Sequence, residues 1–173
     1  MRTKKYCHFC AHPLAEKHVE GRKRLFCENC NEPLYENPTP AACVIVTDER
    51  KQVLLVKRSV DPKKGLWCLP GGFMELGETP QETALRELRE ETRLNGRIDR
   101  IVGTDSHSSA SYGTITLICF LVKEFHGKPS PGDDACDLAF FSPENLPEIA
   151  FETHRKFIRL CHKQVQESRY LKS

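Results

Sequence analysis

The sequence predicts a mixed α+β sandwich of strands with a few helices, preceded by a small cysteine-rich segment. Short apolar runs rich in β-branched residues recur after residue 40, and one strongly amphipathic helix is predicted at 79–93. Four of the nine cysteines cluster before residue 31. Because the predicted strands outnumber the helices, we expect the helices to cover the faces of the sheet.

Two segments of different composition divide the chain. Residues 1–34 are polar, and a segment of about 35 residues cannot bury enough apolar surface to fold without a crosslink. Pro38 and Pro40 favour an extended connector at 35–40. We therefore predict a small module at 1–34 and a larger domain at 35–173.

The apolar runs of the larger domain give the order of its other elements. Runs at 41–47 and 53–56 flank a polar turn and predict a β-hairpin. Further strands are predicted at 98–104, 114–122 and 138–141. Apolar residues at helical spacing predict a closing helix at 151–166.

The helix at 79–93 carries the clearest local signals. Thr79 is a suitable N-cap, Pro80 occupies the first helical position, and Glu82 completes a T-x-x-E capping box. We expect the pair Asn95-Gly96 to end this helix.

The four N-terminal cysteines form two Cys-x-x-Cys pairs, Cys7 with Cys10 and Cys27 with Cys30. Two thiolates three residues apart can chelate one ion from a single turn, and a second pair completes a tetrahedral site with no open position. The spacing is typical of zinc ribbons. The sequence therefore predicts a structural Zn²⁺ site, with a pair of disulfides or a redox-active Cys-x-x-Cys as the alternative.

An acidic stripe follows one face of the predicted helix, since Glu87, Glu90 and Glu91 are three or four residues apart. Carboxylates crowded on one face repel each other unless a cation joins them, and their hard oxygen atoms suit Mg²⁺ or Mn²⁺. A lone E-x-x-E-E would instead indicate a solvated acidic face with ion pairs along the helix.

Three neighbouring features make the metal interpretation more specific than the stripe alone. Arg86 can reach Glu82 or Glu90 and orient a ligand. The pair Gly71-Gly72 permits a backbone carbonyl to approach a metal or phosphate closely. The glycine turn, capping box, arginine and carboxylates occur together in one short segment, which favours a functional site.

The segment from Gly72 to Leu94 resembles the Nudix box, G-x5-E-x7-R-E-U-x-E-E-x-G-U, where U is a bulky aliphatic residue. The matching residues are Gly72, Glu78, Arg86, Glu87, Leu88, Glu90, Glu91 and Leu94. Arg93 stands where the pattern has glycine, and that glycine ends the helix rather than binding metal. The resemblance covers roughly residues 38–165 and implies the Nudix α/β/α sandwich with a mixed sheet.

The resemblance implies a Nudix pyrophosphohydrolase, which hydrolyses the pyrophosphate bond of a nucleoside diphosphate linked to another moiety, with Mg²⁺ or Mn²⁺ as cofactor. The implied catalytic residues are Arg86, Glu87, Glu90 and Glu91. The implied Mg²⁺ or Mn²⁺ ligands are Gly72, Glu78, Glu87, Glu90 and Glu91. The general base is Glu87 or an acid of the loop at 132–137.

The substrate is inferred from the combination of ribbon and box. This combination resembles NADH pyrophosphatases and also compact proteins similar to plant FAD and ADP-ribose pyrophosphatases. The chain lacks the Ser-Gln-Pro-Trp-Pro-Phe-type motif of the first group, so FAD or ADP-ribose is favoured. The alternatives are NADH or capped RNA as substrate, or a non-catalytic nucleotide sensor whose ribbon binds nucleic acid or protein.

Charge and hydropathy set expectations for partners and compartment. The formal net charge of +2 does not indicate nucleic-acid or membrane binding, so we expect neither of those partners. The nucleotide substrate is implied by the resemblance. The start lacks the apolar core of a signal peptide and no run approaches a transmembrane length, which favours the cytoplasm. The resemblance also implies that a homodimer can form.

Overall fold

A computed structural model describes residues 4–170 of the chain. These residues cluster into two compact units, one of 4–39 with 108–114 and the other of 40–107 with 115–170. The first unit thus extends to residue 39, whereas the sequence-based division ends the module at 34. None of the described helices is long and apolar enough to cross a membrane.

Three short strands form the sheet of the first unit: β1 (Leu14–Val19), β2 (Arg22–Cys27) and β3 (Glu32–Leu34), in the order β1-β2-β3. The two-residue turn Glu20-Gly21 has positive φ at both positions, as a tight hairpin turn requires. No strand was predicted here, because exposed polar residues interrupt the apolar positions of β1 and only three apolar residues end β2.

The remaining seven strands and the two helices of the described residues lie wholly or mainly in the second unit. The strands are β4 (Thr39–Val46), β5 (Val53–Arg58), β6 (Trp67–Cys68), β7 (Gly71–Phe73), β8 (Asn95–Ser109), β9 (Gly113–His126) and β10 (Ala135–Phe141). The helices are α1 (Pro80–Thr92) and α2 (Glu152–Tyr170). One sheet has the order β7-β4-β9-β8 and the other β10-β5-β6, which confirms the predicted α+β class.

Strands β4 and β5 do not form the hairpin that the sequence predicted. A single bridge between Thr47 and Val53 closes the turn, after which β4 pairs with β7 and β5 pairs with β10. Both strands are almost continuously buried, as is typical of strands covered on both faces rather than of a hairpin with one wet face.

The second unit has two apolar clusters, one beside each helix. Successive residues of β4 pack alternately in one cluster and in the other. Cys43 and Ile45 pack in the cluster that contains Phe157 of α2. Ala42 and Val44 pack in the cluster that contains Leu88 of α1, so β4 lies between the two helices.

Several predicted elements are shorter than the observed ones, and one boundary is displaced. Strands β8 and β9 continue beyond 98–104 and 114–122 because alternating exposed residues extend the pairing past the apolar run. Helix α2 runs past residue 166, and Thr39 and Pro40 already belong to β4 rather than to a connector.

Candidate active site

Helix α1 starts with the predicted capping box. The Thr79 hydroxyl accepts a hydrogen bond from the Glu82 backbone N–H, and Glu82 Oε2 accepts one from the Thr79 backbone N–H at 2.8 Å. Because Glu82 is used in this cap, it does not pair with Arg86, and of the two expected partners only Glu90 is reached.

The guanidinium of Arg86 binds three carboxylates and one carbonyl. Its Nε donates to Glu78 Oε1 at 2.6 Å, and its Nη1 donates to Glu87 Oε1 at 2.7 Å and to Glu90 Oε2 at 2.9 Å. Its Nη2 donates to the backbone carbonyl of Phe73 on β7 at 3.0 Å. Arg86 therefore joins the acidic face of α1 to the strand that precedes it.

The pKa values of Glu78 and Glu87 shift in opposite directions. The Arg86 hydrogen bonds, helped by the Glu75 N–H and the Thr83 hydroxyl, lower the pKa of Glu78 to about 2. Burial raises the pKa of Glu87 above its usual range, although Arg86 opposes this effect. Glu87 is consequently a stronger base than Glu78.

The most buried carboxylate of the box is Glu91, whose residue surface is 6% exposed. Its Oε2 accepts a hydrogen bond from the Gly71 backbone N–H at 3.0 Å. Burial raises the pKa of Glu91 to about 8, against the opposing effects of the Gly71 N–H and of Arg58. A buried carboxylate with this pKa is typical of functional sites.

This pKa predicts a stability change with pH in magnesium-free buffer. Between the ordinary value of 4.5 and about 8, folded Glu91 keeps a proton that the unfolded chain has released. Unfolding then releases a proton, so stability must fall as pH rises through this window, by at most about 1.4 kcal/mol per pH unit from this group. We expect Glu91→Gln to flatten that part of the stability profile measured by denaturant unfolding, and an unchanged slope would contradict the assignment.

Two glycines of β7 leave room for close contacts that any side chain would block. A Cβ added at Gly71 would lie 2.4 Å from the Ala42 carbonyl oxygen on β4. A Cβ added at Gly72 would lie 2.4 Å from Glu87 Oε1. The Glu87 carboxylate therefore rests against the backbone of β7 because residue 72 is glycine.

Arg93 replaces the expected glycine without lengthening the helix. It is the C-cap of α1 and adopts the left-handed conformation, with φ 61° and ψ 13°, that a glycine would adopt there. Asn95-Gly96 begins β8 instead of ending the helix, so that expectation was wrong. The loop that follows β9 supports the helix end, since Gly132 N–H donates to the Glu91 carbonyl and Ser130 N–H to the Thr92 carbonyl.

The four cysteines of the first unit converge on one point. Their Sγ atoms all lie within 4.8 Å of one another. The individual separations are 3.3 Å for Cys10 with Cys30, 3.5 Å for Cys10 with Cys27, and 3.9 Å for Cys7 with Cys30. Four thiols around one Zn²⁺ with bonds of about 2.3 Å would lie about 3.8 Å apart, so the cluster has the dimensions of a tetrahedral ion site.

Two hydrogen bonds between side chains of the box and the backbone of β7 were not predicted from the sequence. The bond from Gly71 N–H to Glu91 and the bond from Arg86 to the Phe73 carbonyl join residues far apart along the chain. No local pattern signals them, because they arise only once β7 lies beside α1.

A family model described as NUDIX domain matches residues 37–161. The chain is 39% identical over 127 residues to an ADP-ribose pyrophosphatase from Methanocaldococcus jannaschii, covering 73% of this chain and 74% of that protein. It is 34% identical over 93 residues to the NAD-capped RNA hydrolase NudC of Salmonella heidelberg, covering 54% of this chain but only 35% of that relative.

Solved structures show the same architecture. A crystal structure of a Nudix hydrolase from Nitrosomonas europaea aligns with a TM-score of 0.76 at 28% identity, covering 90% of this chain and 88% of that one. This likeness confirms the predicted Nudix fold. The chain therefore belongs to the Nudix family and is a Nudix pyrophosphohydrolase.

Proposed function

We propose that the chain hydrolyses the nucleotide sugar ADP-ribose or a dinucleotide such as FAD, with Mg²⁺ or Mn²⁺ as cofactor. The observation that carries this proposal is the set of carboxylates around Arg86, with Glu78 before α1 and Glu87 and Glu90 on it. The substrate class is supported by the ADP-ribose pyrophosphatase of M. jannaschii, which aligns along most of both chains.

The oxygen donors around Arg86 suit a divalent cation. Glu78, Glu87 and Glu90 bring three carboxylates to a single guanidinium, so their negative charge exceeds that of their one cationic partner. Hard carboxylate oxygens are the ligands that Mg²⁺ and Mn²⁺ prefer. We propose that the ions are held by Gly72, Glu78, Glu87, Glu90 and Glu91. When bound, they would neutralise phosphate oxygens and lower the pKa of the attacking water.

The protein side chains then have separate roles in the reaction. Water attacks one phosphorus and the bridging P–O bond breaks, so ADP-ribose would give AMP and ribose 5-phosphate. We propose that Glu87 accepts the proton of the attacking water, since its carboxylate rests against Gly72 and is oriented by Arg86 Nη1. Arg86 holds Glu78, Glu87 and Glu90 in their orientations, and its role is therefore to position rather than to react.

The loop after β9 is the other candidate source of a base. The Asp134 carboxyl acts electrostatically on Glu91, and the Asp134 backbone carbonyl accepts hydrogen bonds from Ser59. Asp133 has positive φ, which is typical of a turn residue. These contacts favour a structural role for the loop and leave Glu87 as the proposed base.

A substrate panel tests the proposed function. Hydrolysis of ADP-ribose, FAD, NADH and NAD-capped RNA would be compared at saturating Mg²⁺, with the products identified by chromatography. We expect ADP-ribose or FAD to have the highest kcat/KM and to release a nucleoside monophosphate. Preference for NADH or capped RNA would overturn the substrate assignment, and nucleotide binding without any cleavage would indicate a sensor.

We further propose that Cys7, Cys10, Cys27 and Cys30 bind a structural Zn²⁺. The Phe9 N–H donates to Cys7 Sγ and the Cys30 N–H to Cys27 Sγ, both at 3.4 Å, so a backbone N–H of each Cys-x-x-Cys turn orients one sulfur. Zn²⁺ would crosslink the turn before β1 to the turn between β2 and β3. A cytoplasmic location and a homodimer stay predictions from the sequence.

Replacing Cys27 with serine is expected to release zinc and loosen the first unit, because a hydroxyl is a much weaker zinc ligand than a thiolate. Elemental analysis of the purified protein gives the zinc content, and limited proteolysis reports on the first unit. Cys136→Ser is the matched control, since Cys136 lies on β10 outside the cluster. Unchanged zinc content in Cys27→Ser would contradict the four-thiolate site.

A further inference from the structure

Helix α2 carries a buried histidine that has no role in the box. His154 lies in the first turn of α2 and is 7% exposed. Its Nδ1 accepts a hydrogen bond from the backbone N–H of Leu69 at 3.0 Å, across 85 positions of sequence. A buried imidazole bound to a distant backbone amide holds that backbone in place.

The backbone that His154 holds leads directly into β7. Leu69 is followed by Pro70, whose carbonyl accepts a hydrogen bond from Val44 N–H at 2.9 Å, and then by Gly71, whose N–H donates to Glu91 at 3.0 Å. Residues 69–71 are thus bound in turn by α2, by β4 and by α1. The position of the Gly71 N–H depends on where Leu69 lies two residues earlier.

Nδ1 of His154 remains a hydrogen-bond acceptor over the ordinary pH range. Burial, with smaller effects of His107 and Arg58, lowers the pKa of His154 to about 3. The imidazole therefore stays neutral at ordinary pH, and the Leu69 N–H fixes the tautomer in which Nδ1 is unprotonated.

We propose that His154 is a positioning residue, which sets the backbone of 69–72 so that the Gly71 N–H meets Glu91 and residue 72 rests against Glu87. An apolar side chain at 154 would leave the Leu69 N–H buried without an acceptor, and the segment would shift to find one. The catalytic consequence rests on the proposed function, because Glu87, Glu91 and Gly72 are the proposed metal ligands.

Three substitutions at one position separate hydrogen bonding from packing. His154→Leu keeps an apolar volume but removes the acceptor. His154→Asn places a carbonyl oxygen as many bonds from the backbone as Nδ1, whereas His154→Gln places it one bond further. Phe157→Leu is the matched control, since Phe157 is 3% exposed and packs in the same apolar cluster as Leu69, but its side chain has no atom that could accept the Leu69 N–H.

Two readouts are measured on the full chain. Mn²⁺ affinity is measured by the EPR signal of free Mn²⁺, and backbone order by hydrogen exchange of the Leu69 and Gly71 amides in NMR spectra recorded without Mn²⁺ or Mg²⁺. We expect His154→Leu and His154→Gln to weaken Mn²⁺ binding about 10-fold and to lose protection at both amides. His154→Asn should restore most of each, and Phe157→Leu should lower the melting temperature without changing either.

Two results would overturn the proposal. One is a Phe157→Leu variant that loses Mn²⁺ affinity and amide protection as His154→Leu does, because the effect would then be general destabilisation. The other is an Asn variant that behaves like the Gln variant. A wild-type protein without Mn²⁺ affinity or hydrolysis would refute the proposed function instead, while the amide protection would still test the role of His154.

Discussion

Glu90→Gln is expected to lower kcat by about 100-fold or more while the protein stays folded. Arg86 Nη1 donates to Glu90 Oε2 at 2.9 Å, and the side-chain carbonyl of a glutamine can accept the same hydrogen bond. The contact with the guanidinium is therefore retained. The negative charge is the main loss, and a divalent cation depends on that charge. Steady-state kinetics at saturating Mg²⁺, together with a thermal melt, measure the two effects separately.

Glu82→Gln is the matched control for this substitution. Glu82 lies on the same helix, but its carboxylate binds Thr79 in the capping box, a role that glutamine can also fill. Near-normal turnover is therefore expected for Glu82→Gln. If Glu90→Gln also turned over at a near-normal rate, Glu90 would not be a metal ligand.

Arg86→Lys is expected to lower kcat/KM by about 10- to 100-fold although the positive charge is kept. An ammonium group cannot reproduce the forked geometry that binds Glu78, Glu87, Glu90 and the Phe73 carbonyl together. At least one carboxylate should lose its fixed orientation, and the pKa of Glu78 should rise from about 2. Kinetics and an NMR titration of the glutamate carboxyl groups measure these changes.

Arg89→Lys provides the comparison, since Arg89 is an exposed arginine of the same helix. We expect its kinetics to match the wild type. Equal kinetics in Arg86→Lys would show that a single positive charge suffices and that the fork has no positioning role.

The sequence predicted α1 well because its signals are local. The capping interactions of Thr79 and Glu82 depend on residues within one turn, and the carboxylate spacing follows from helical geometry. For the same reason the sequence alone indicates the acidic face and the neighbouring Arg86.

Contacts between segments that are distant in sequence could not be predicted from local patterns. The runs at 41–47 and 53–56 look like a hairpin because only a short turn separates them, but each strand finds its long-range partner elsewhere. Arg93 shows a different limit, since a non-glycine residue adopts the left-handed conformation while loop residues satisfy nearby carbonyls. His154 gave no signal at all, because its acceptor role depends on Leu69 lying next to α2.

The most direct test of the account titrates Mn²⁺ into magnesium-free wild-type protein while ³¹P NMR follows ADP-ribose. We expect no cleavage without a divalent ion, and conversion to AMP and ribose 5-phosphate as the ion saturates a site that Glu90→Gln weakens. Two results would contradict the claim that the carboxylates of α1 hold the catalytic metal. One is cleavage at the same rate without any divalent ion. The other is a Glu90→Gln variant in which Mn²⁺ binds and supports cleavage as well as in the wild type.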